Sequence, residues 1–226
     1  MKRTLLGLLI LGLIACRAGY VQAAPISSLF NTGVDASGLS LSDGTIGDPH
    51  YILASVPGGT TDIRVRTSAG GWPIPPYFGD SPTSAWIGPN NDPSIDGPAG
   101  PYDYRTTFSL IGFDASTASI SGGWSSDNEG LEIRLNGVTV AGGTSFIQFS
   151  LGFAPFSISG GFLPGLNTLD FYVLNEGGPT SLRVEMSGTA AVTAVPEPET
   201  YAMLLAGLGL LGFAARRRKL KEAAAG

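Results

Sequence analysis

The chain has 226 residues with one cysteine, one histidine, 33 glycines, 16 prolines and a formal net charge of −5. A single cysteine excludes an internal disulfide framework and a cysteine-based zinc site, and a single histidine excludes a histidine-rich metal centre. Between Ala24 and Pro198 there is no lysine, and five arginines (Arg64, Arg66, Arg105, Arg134, Arg183) stand against sixteen acids. That stretch therefore carries −11 and offers no clustered cations for nucleic acid or anionic lipid.

The N-terminus opens with Lys2-Arg3, an apolar run from Leu5 to Ala15 and a small-residue exit at Val21-Gln22-Ala23. This is the pattern of a signal peptide over residues 1–23, which marks export and makes signal peptidase a processing partner. Cleavage between Ala23 and Ala24 puts small residues at the −3 and −1 positions and makes Ala24 the mature start. Leu13-Ile14-Ala15-Cys16 offers a rival lipobox reading in which Cys16 carries lipid, but such an anchor would duplicate the C-terminal helix described below. With Cys16 removed the mature chain has no thiol, and the roughly 175 residues that follow suit one domain with a real core.

The body predicts an all-β fold. Residues 25–48 are rich in Ser, Gly and Asp with weak alternation, an edge strand plus loops. Ile63-Arg64-Val65-Arg66 alternates in twos, aliphatic on one face and cationic on the other. Residues 71–101 form a long Pro- and Asp-rich loop carrying Trp72, Tyr77 and Trp86, and loops of that length are usually functional or packed as lids. Strands are expected at Tyr104–Leu110 and Ala118–Gly122. Leu131-Glu132-Ile133-Arg134-Leu135 alternates and runs into Asn136-Gly137, the two positive-φ positions of a type I′ turn, before Val138-Thr139-Val140 returns. Further strands are expected at Phe146–Phe149, Phe156–Ile158, Thr168–Leu174 and Leu182–Ser187, the last with Leu182, Val184 and Met186 inward and Arg183 and Glu185 outward. Eight or nine short strands at about ten-residue spacing predict an antiparallel β-sandwich or barrel over 24–188.

From 189 to 200 the chain is a plain linker ending in Val195-Pro196-Glu197-Pro198. An apolar run at 201–215 predicts a transmembrane helix, and Arg216-Arg217-Arg218-Lys219 within the tail 216–226 forms a basic cytoplasmic stop. Fifteen residues cover only about 22 Å as a helix, short of a ~30 Å hydrocarbon core, so the anchor would be weak. Pro196 and Pro198 fix φ and remove donors, which keeps the segment extended and readable by an enzyme. This order of motif, short apolar helix and basic cluster resembles the PEP-CTERM family of bacterial exported proteins. The resemblance implies recognition by a membrane exosortase, cleavage near the motif and transfer to the cell surface or an extracellular polysaccharide matrix.

A second resemblance runs from Trp86 to Gly188. Trp86-Ile87-Gly88-Pro89, Tyr104-Arg105-Thr106-Thr107-Phe108, Trp124-Ser125-Ser126-Asp127-Asn128, Leu135-Asn136-Gly137, Gly165-Leu166-Asn167-Thr168-Leu169 and Leu182-Arg183-Val184 together resemble a galactose-binding-domain-like jelly roll. The resemblance implies two antiparallel sheets, with non-catalytic carbohydrate binding at the loop end and, in some members, a structural calcium ion.

Candidate sites are few. No Gly-x-Ser-x-Gly elbow accompanies His50, and no pair among the sixteen acids is singled out for glycoside hydrolysis, so the chain is expected to be no enzyme and to need no cofactor. A cryptic hydrolase would require two carboxylates flanking a cleft. For a carbohydrate-binding module, Trp72, Tyr77 and Trp86 would supply an aromatic platform and Asp80, Asn90, Asn91 and Asp92 polar partners. Trp86 and, more strongly, Trp124 also read as core residues. Asp127-Asn128-Glu129 offers oxygen donors for calcium, or a solvated turn, and lacks the longer spacing of an EF-hand.

Overall fold

The structure, a computed structural model, describes residues 22–59, 61–71, 75–89, 97–193 and 198–224. They fall into a body, 22–193, and a separate unit holding the C-terminal helix. Residues 1–21 of the signal segment, Cys16 among them, lie outside the described residues.

The body is a sandwich of two antiparallel sheets. Its strands are β1 (Ala23–Pro25), β2 (Tyr51–Ser55), β3 (Ile63–Arg66), β4 (Trp86–Pro89), β5 (Gly100–Ser109), β6 (Phe113–Asp127), β7 (Glu129–Leu135), β8 (Val138–Gly142), β9 (Ala154–Ile158), β10 (Leu166–Asn175) and β11 (Ser181–Val192). The first sheet has the order β3-β4-β11-β6-β9, with β1 also on β11, and the second has β2-β5-β10-β7-β8. Pairs β7/β8, β6/β9, β5/β10 and β4/β11 are nested one outside the next. The chain from β4 to β11 is thus one long antiparallel ribbon, rolled so that successive pairs fall in alternate sheets, which is a jelly roll.

The tip of that ribbon is the predicted turn. Asn136 (φ 52°) and Gly137 (φ 81°) take the left-handed conformations that a two-residue hairpin requires. The Asn136 side chain also clamps the neighbouring loop, donating to Gly161 O at 3.0 Å and Asn167 Oδ1 at 2.9 Å while accepting from Thr168 N at 3.0 Å. Period-2 alternation builds the core between the sheets. Leu169, Phe171 and Val173 of β10 and Tyr102, Tyr104 and Phe108 of β5 meet Trp124, Ile120, Leu182 and Val184 across the sandwich. Trp124, a core residue as one reading of the sequence expects, lies 5.6 Å from the Phe171 ring. It fits because residue 130 is glycine: a Cβ there would stand 2.4 Å from the indole.

Three expectations are corrected. Phe146–Phe149 is not a strand; a single helical turn, α1 (Gln148–Leu151), occupies its second half. Local bonds favour the turn, since Gln148 Nε2 donates forward to Gly152 O at 2.9 Å and Ser150 Oγ back to Ile147 O at 2.8 Å. Strand β11 continues through Val192, past the expected boundary at 188, because Thr189–Ala191 pair with β1. Arg183 does leave the core face, as alternation requires, yet it is fully buried by a layer described below.

In the C-terminal unit the helix α2 runs over Pro198–Ala223, through both the apolar run and the basic cluster Arg216–Lys219. Among the described residues no helix is long and apolar enough to cross a membrane. The physical reason is length: the uncharged stretch 201–215 reaches about 22 Å before the first arginine.

Candidate functional site

The described middle of the long loop, expected to present an aromatic platform, instead builds a covering layer. Trp86 opens β4 on the face opposite to Ile87, and both side chains are fully buried. Residues 77–85 cross the outer face of the first sheet and cover it. Tyr77 and Phe78 pack on Trp86 with ring centroids 5.3 and 5.1 Å away, Phe149 of α1 packs on Tyr77 at 4.6 Å, and Phe153 on Phe78 at 5.0 Å. The cation among these rings is the protein's own. The Arg183 guanidinium lies 4.9 and 5.4 Å from the Phe78 and Phe153 centroids, and donates to Ser84 Oγ at 2.7 Å and Gly79 O at 2.6 Å. Burial pulls its pKa below the ordinary arginine value, opposed by Glu185 and Asp80.

Trp86 is therefore internal, which corrects its expected role as a sugar platform. Tyr77 is half-buried beside it, and Asp80 is engaged by Ser68 N at 3.0 Å. Trp72, Asn90, Asn91 and Asp92 lie outside the described residues. Beyond the loop, an open groove of about 460 Å³ is lined by Asn31, Thr83, Ser121, Glu185, Met186 and Ser187. Its one carboxylate, Glu185, already accepts from Ser84 Oγ at 2.6 Å.

Of the calcium candidates, Asp127 and Asn128 are engaged with other groups of the body, and Glu129 opens β7. Asp127 accepts from the Tyr77 hydroxyl and from Asn128 Nδ2, and Asn128 Oδ1 accepts from Glu176 N at 2.8 Å. Among the described residues no three His, Cys, Asp or Glu side chains converge to hold a metal ion. Burial raises the Asp127 carboxyl from 3.8 to about 7. The folded protein thus keeps this proton to a higher pH than the unfolded chain, so the contribution of Asp127 to stability is full below about pH 4 and is lost as pH rises toward 7. In urea unfolding between about pH 4.5 and 7.5, Asp127→Asn is expected to flatten that decline. An unchanged slope would remove Asp127 as its cause.

A charged ladder on the outer face of the second sheet escaped the sequence reading. On β10, Asp170 pairs in register with Arg105 of β5 and Arg134 of β7, and Tyr172 pairs with Asp103 and Glu132. Arg105 grips Asp170 through two nitrogens at 2.5 and 3.2 Å and lies 3.6 Å from Asp103. Arg134 bonds Glu132 and stacks 4.4 Å from the Tyr172 ring centroid. Asp170 and Asp103 are 2% and 4% exposed although they face away from the core. Burial and then the Asp170 charge push the Asp103 carboxyl up, while Arg105 holds it down. Alternation in each strand signalled outward polar residues; only the register brings the three rows together.

The remaining candidates are quickly placed. His50 stacks flat on Phe30 at 3.6 Å, and Asp48 beside it accepts three backbone N–H groups, from Gly33, His50 and Tyr51. His50 is thus a packed loop residue. Ala23 and Ala24 pair with Ala191 and Ala190 in β1. Val195, Pro196 and Glu197 lie outside the described residues, and Pro198 begins α2.

Residues 194–219 match the PEP-CTERM protein-sorting motif. No curated protein matches the chain. Among solved structures the chain is similar to CBM35 from Paenibacillus barcinonensis, at 16% identity and a TM-score of 0.34, over 63% of this chain and 98% of that one. That likeness is too loose to bear on function. The sorting motif implies an exported, membrane-transiting chain that an exosortase processes.

Proposed function

We propose that this exported chain is a non-catalytic β-sandwich, delivered through its C-terminal signal to the cell surface or extracellular polysaccharide matrix, where its role is structural or adhesive. The observation that carries the reading is the sorting motif at 194–219, joined to an acidic body without lysine. The absence of catalysis draws support from the way its closely placed titratable groups are spent on one another: Asp103 and Asp170 on Arg105, Asp127 on Tyr77, Glu185 on Ser84. Deleting Val195 to Gly226 and fractionating the cells tests the sorting half. The truncated protein is expected to lose proteolytic processing and to leave the surface or matrix fraction. Unchanged processing and location would end the proposal.

A second reading is carbohydrate recognition, and one observation favours it: Tyr172, Glu132 and Arg134 remain only half-buried on a flat sheet face. A ring flanked by charged hydrogen-bonding groups is what a pyranose face and its hydroxyls require. If this reading holds, a glycan array probed with the full chain gives discrete hits that Tyr172→Ala abolishes while circular dichroism shows the fold kept. A flat array leaves the structural reading alone.

A further inference from the structure

One end of the sandwich differs from the rest of the body. It is formed by the β5–β6 turn, the β7–β8 turn, the segment before β10 and the end of β11. Hydrogen bonds hold these tips together: Leu110 N donates to Gly165 O at 2.7 Å, Thr193 N to Gly112 O at 2.9 Å, and Asn136 to Gly161 and Asn167. The tips display Ile111 (80% exposed), Leu166 (67%), Val138, Leu163 and Val192, five large apolar side chains presented to solvent. Segments 109–113, 136–138, 160–168 and 192–193 contain no charged residue, on a body that carries −10. The nearest carboxylate, Asp114, is turned back onto Ser116 N at 3.0 Å and Ser116 Oγ at 2.7 Å.

This is also the end where the chain leaves. Val192 pairs with Phe113, and Val192 N donates to Gln22 O at 3.1 Å, so both ends of the body emerge here. Four residues, 194–197, separate Thr193 from α2. The five backbone steps from Thr193 to Pro198 reach no more than about 18 Å in any conformation. Whatever surface receives the apolar run 201–215 therefore lies within one short tether of the apolar tips.

We propose that this end of the body is a docking surface for the membrane interface, and that it holds the sandwich upright on a lipid surface while the sorting signal is engaged. Isolated apolar tips on loops, free of charge, enter the boundary between headgroups and acyl chains at little electrostatic cost. The acidic body as a whole is repelled by anionic headgroups, and this uncharged end is the one that the short tether keeps beside the apolar run. A lipid partner fits better than a second copy because the tether fixes which surface lies nearby. The inference concerns the membrane stage of sorting and stands whether or not the protein serves a structural role afterwards.

The test uses the full chain with Cys16→Ser, reconstituted into phosphatidylcholine vesicles whose acyl chains carry bromine. A single cysteine replaces Ile111 at the tip or Glu176 in the β10–β11 turn, and each carries an environment-sensitive fluorophore. Emission at position 111 is expected to shift to the blue and to be quenched several-fold more strongly than at 176. With the label moved to Val138→Cys, the pair Ile111→Asp and Leu166→Asp is expected to abolish the quenching. Both substitutions fall on exposed positions, and an unchanged thermal transition checks that the fold is kept. Equal quenching at 111 and 176 would overturn the proposal. So would a blue shift without quenching by brominated lipid that disappears on dilution, since copies of the chain would then be covering one another.

Discussion

Trp86→Ala is expected to lower the stability of the body by about 3–5 kcal/mol, the usual cost of truncating a fully buried aromatic. For a domain of this size that corresponds to a fall in Tm of roughly 6–20 °C. The indole contacts Tyr77 and Phe78, and its Nε1 points to Phe78 O at 3.5 Å, so its removal leaves a cavity beneath the covering loop. The loop residues also enclose Arg183, whose bonds to Ser84 and Gly79 depend on residues 77–85 staying in place. Loss of the indole should therefore unsettle the whole outer layer. A surface platform for sugar behaves differently: exposed substitutions usually change stability by less than about 0.5 kcal/mol. Thermal unfolding followed by circular dichroism separates the two, and an unchanged transition would mean that Trp86 is not internal.

The second large effect is expected at Arg105→Met. Removing the guanidinium leaves two largely buried carboxylates, Asp103 and Asp170, beside each other without their shared cation. Breaking a fully buried pair costs about 3–5 kcal/mol, and because Arg105 is itself one-third exposed the loss here should be nearer about 2 kcal/mol. Its pH dependence carries the signature. Asp103 already holds its proton above the ordinary 3.8, and without Arg105 it holds it higher still. A carboxyl with a raised native pKa contributes stability at low pH that is lost as pH rises through that value. The deficit of Arg105→Met relative to wild type should thus be smallest near about pH 4.5 and grow toward about pH 7.5. The same deficit at both would show that lost packing, not the stranded carboxylates, is responsible.

How much of this was legible in the sequence depended on the range of the interactions. The Asn136-Gly137 turn, the inward pair Ile133 and Leu135 and the inward set Leu182, Val184 and Met186 are local patterns that the structure contains, whereas Leu131, skipped at the register shift between β7 and β10, is exposed and breaks the expected alternation. The antiparallel sandwich followed from the spacing of such strands. Phe146–Phe149 misled because four apolar-rich residues look alike as a buried strand and as an exposed turn, and a hydrogen bond from Gln148 decides for the turn. Arg183 misled for a different reason: alternation states which face a residue takes, not whether that face is later covered. The Asp103–Arg105–Asp170–Tyr172 ladder lay in plain view within the strands, but its rows align only through β-sheet register.

The sequence by itself determined the C-terminal sorting motif and the tip of the fold, because such a motif and a two-residue turn are each written in consecutive residues. Tertiary structure alone decided that four nested strand pairs roll into two sheets, and that Trp86 and Arg183 lie beneath a second layer. Arg183 meets Ser84 across 99 residues and Val184 N meets Thr32 Oγ1 across 152. Contacts of that separation arise when the ribbon closes on itself and buries both faces of one sheet, and no local period records which partner a strand will find.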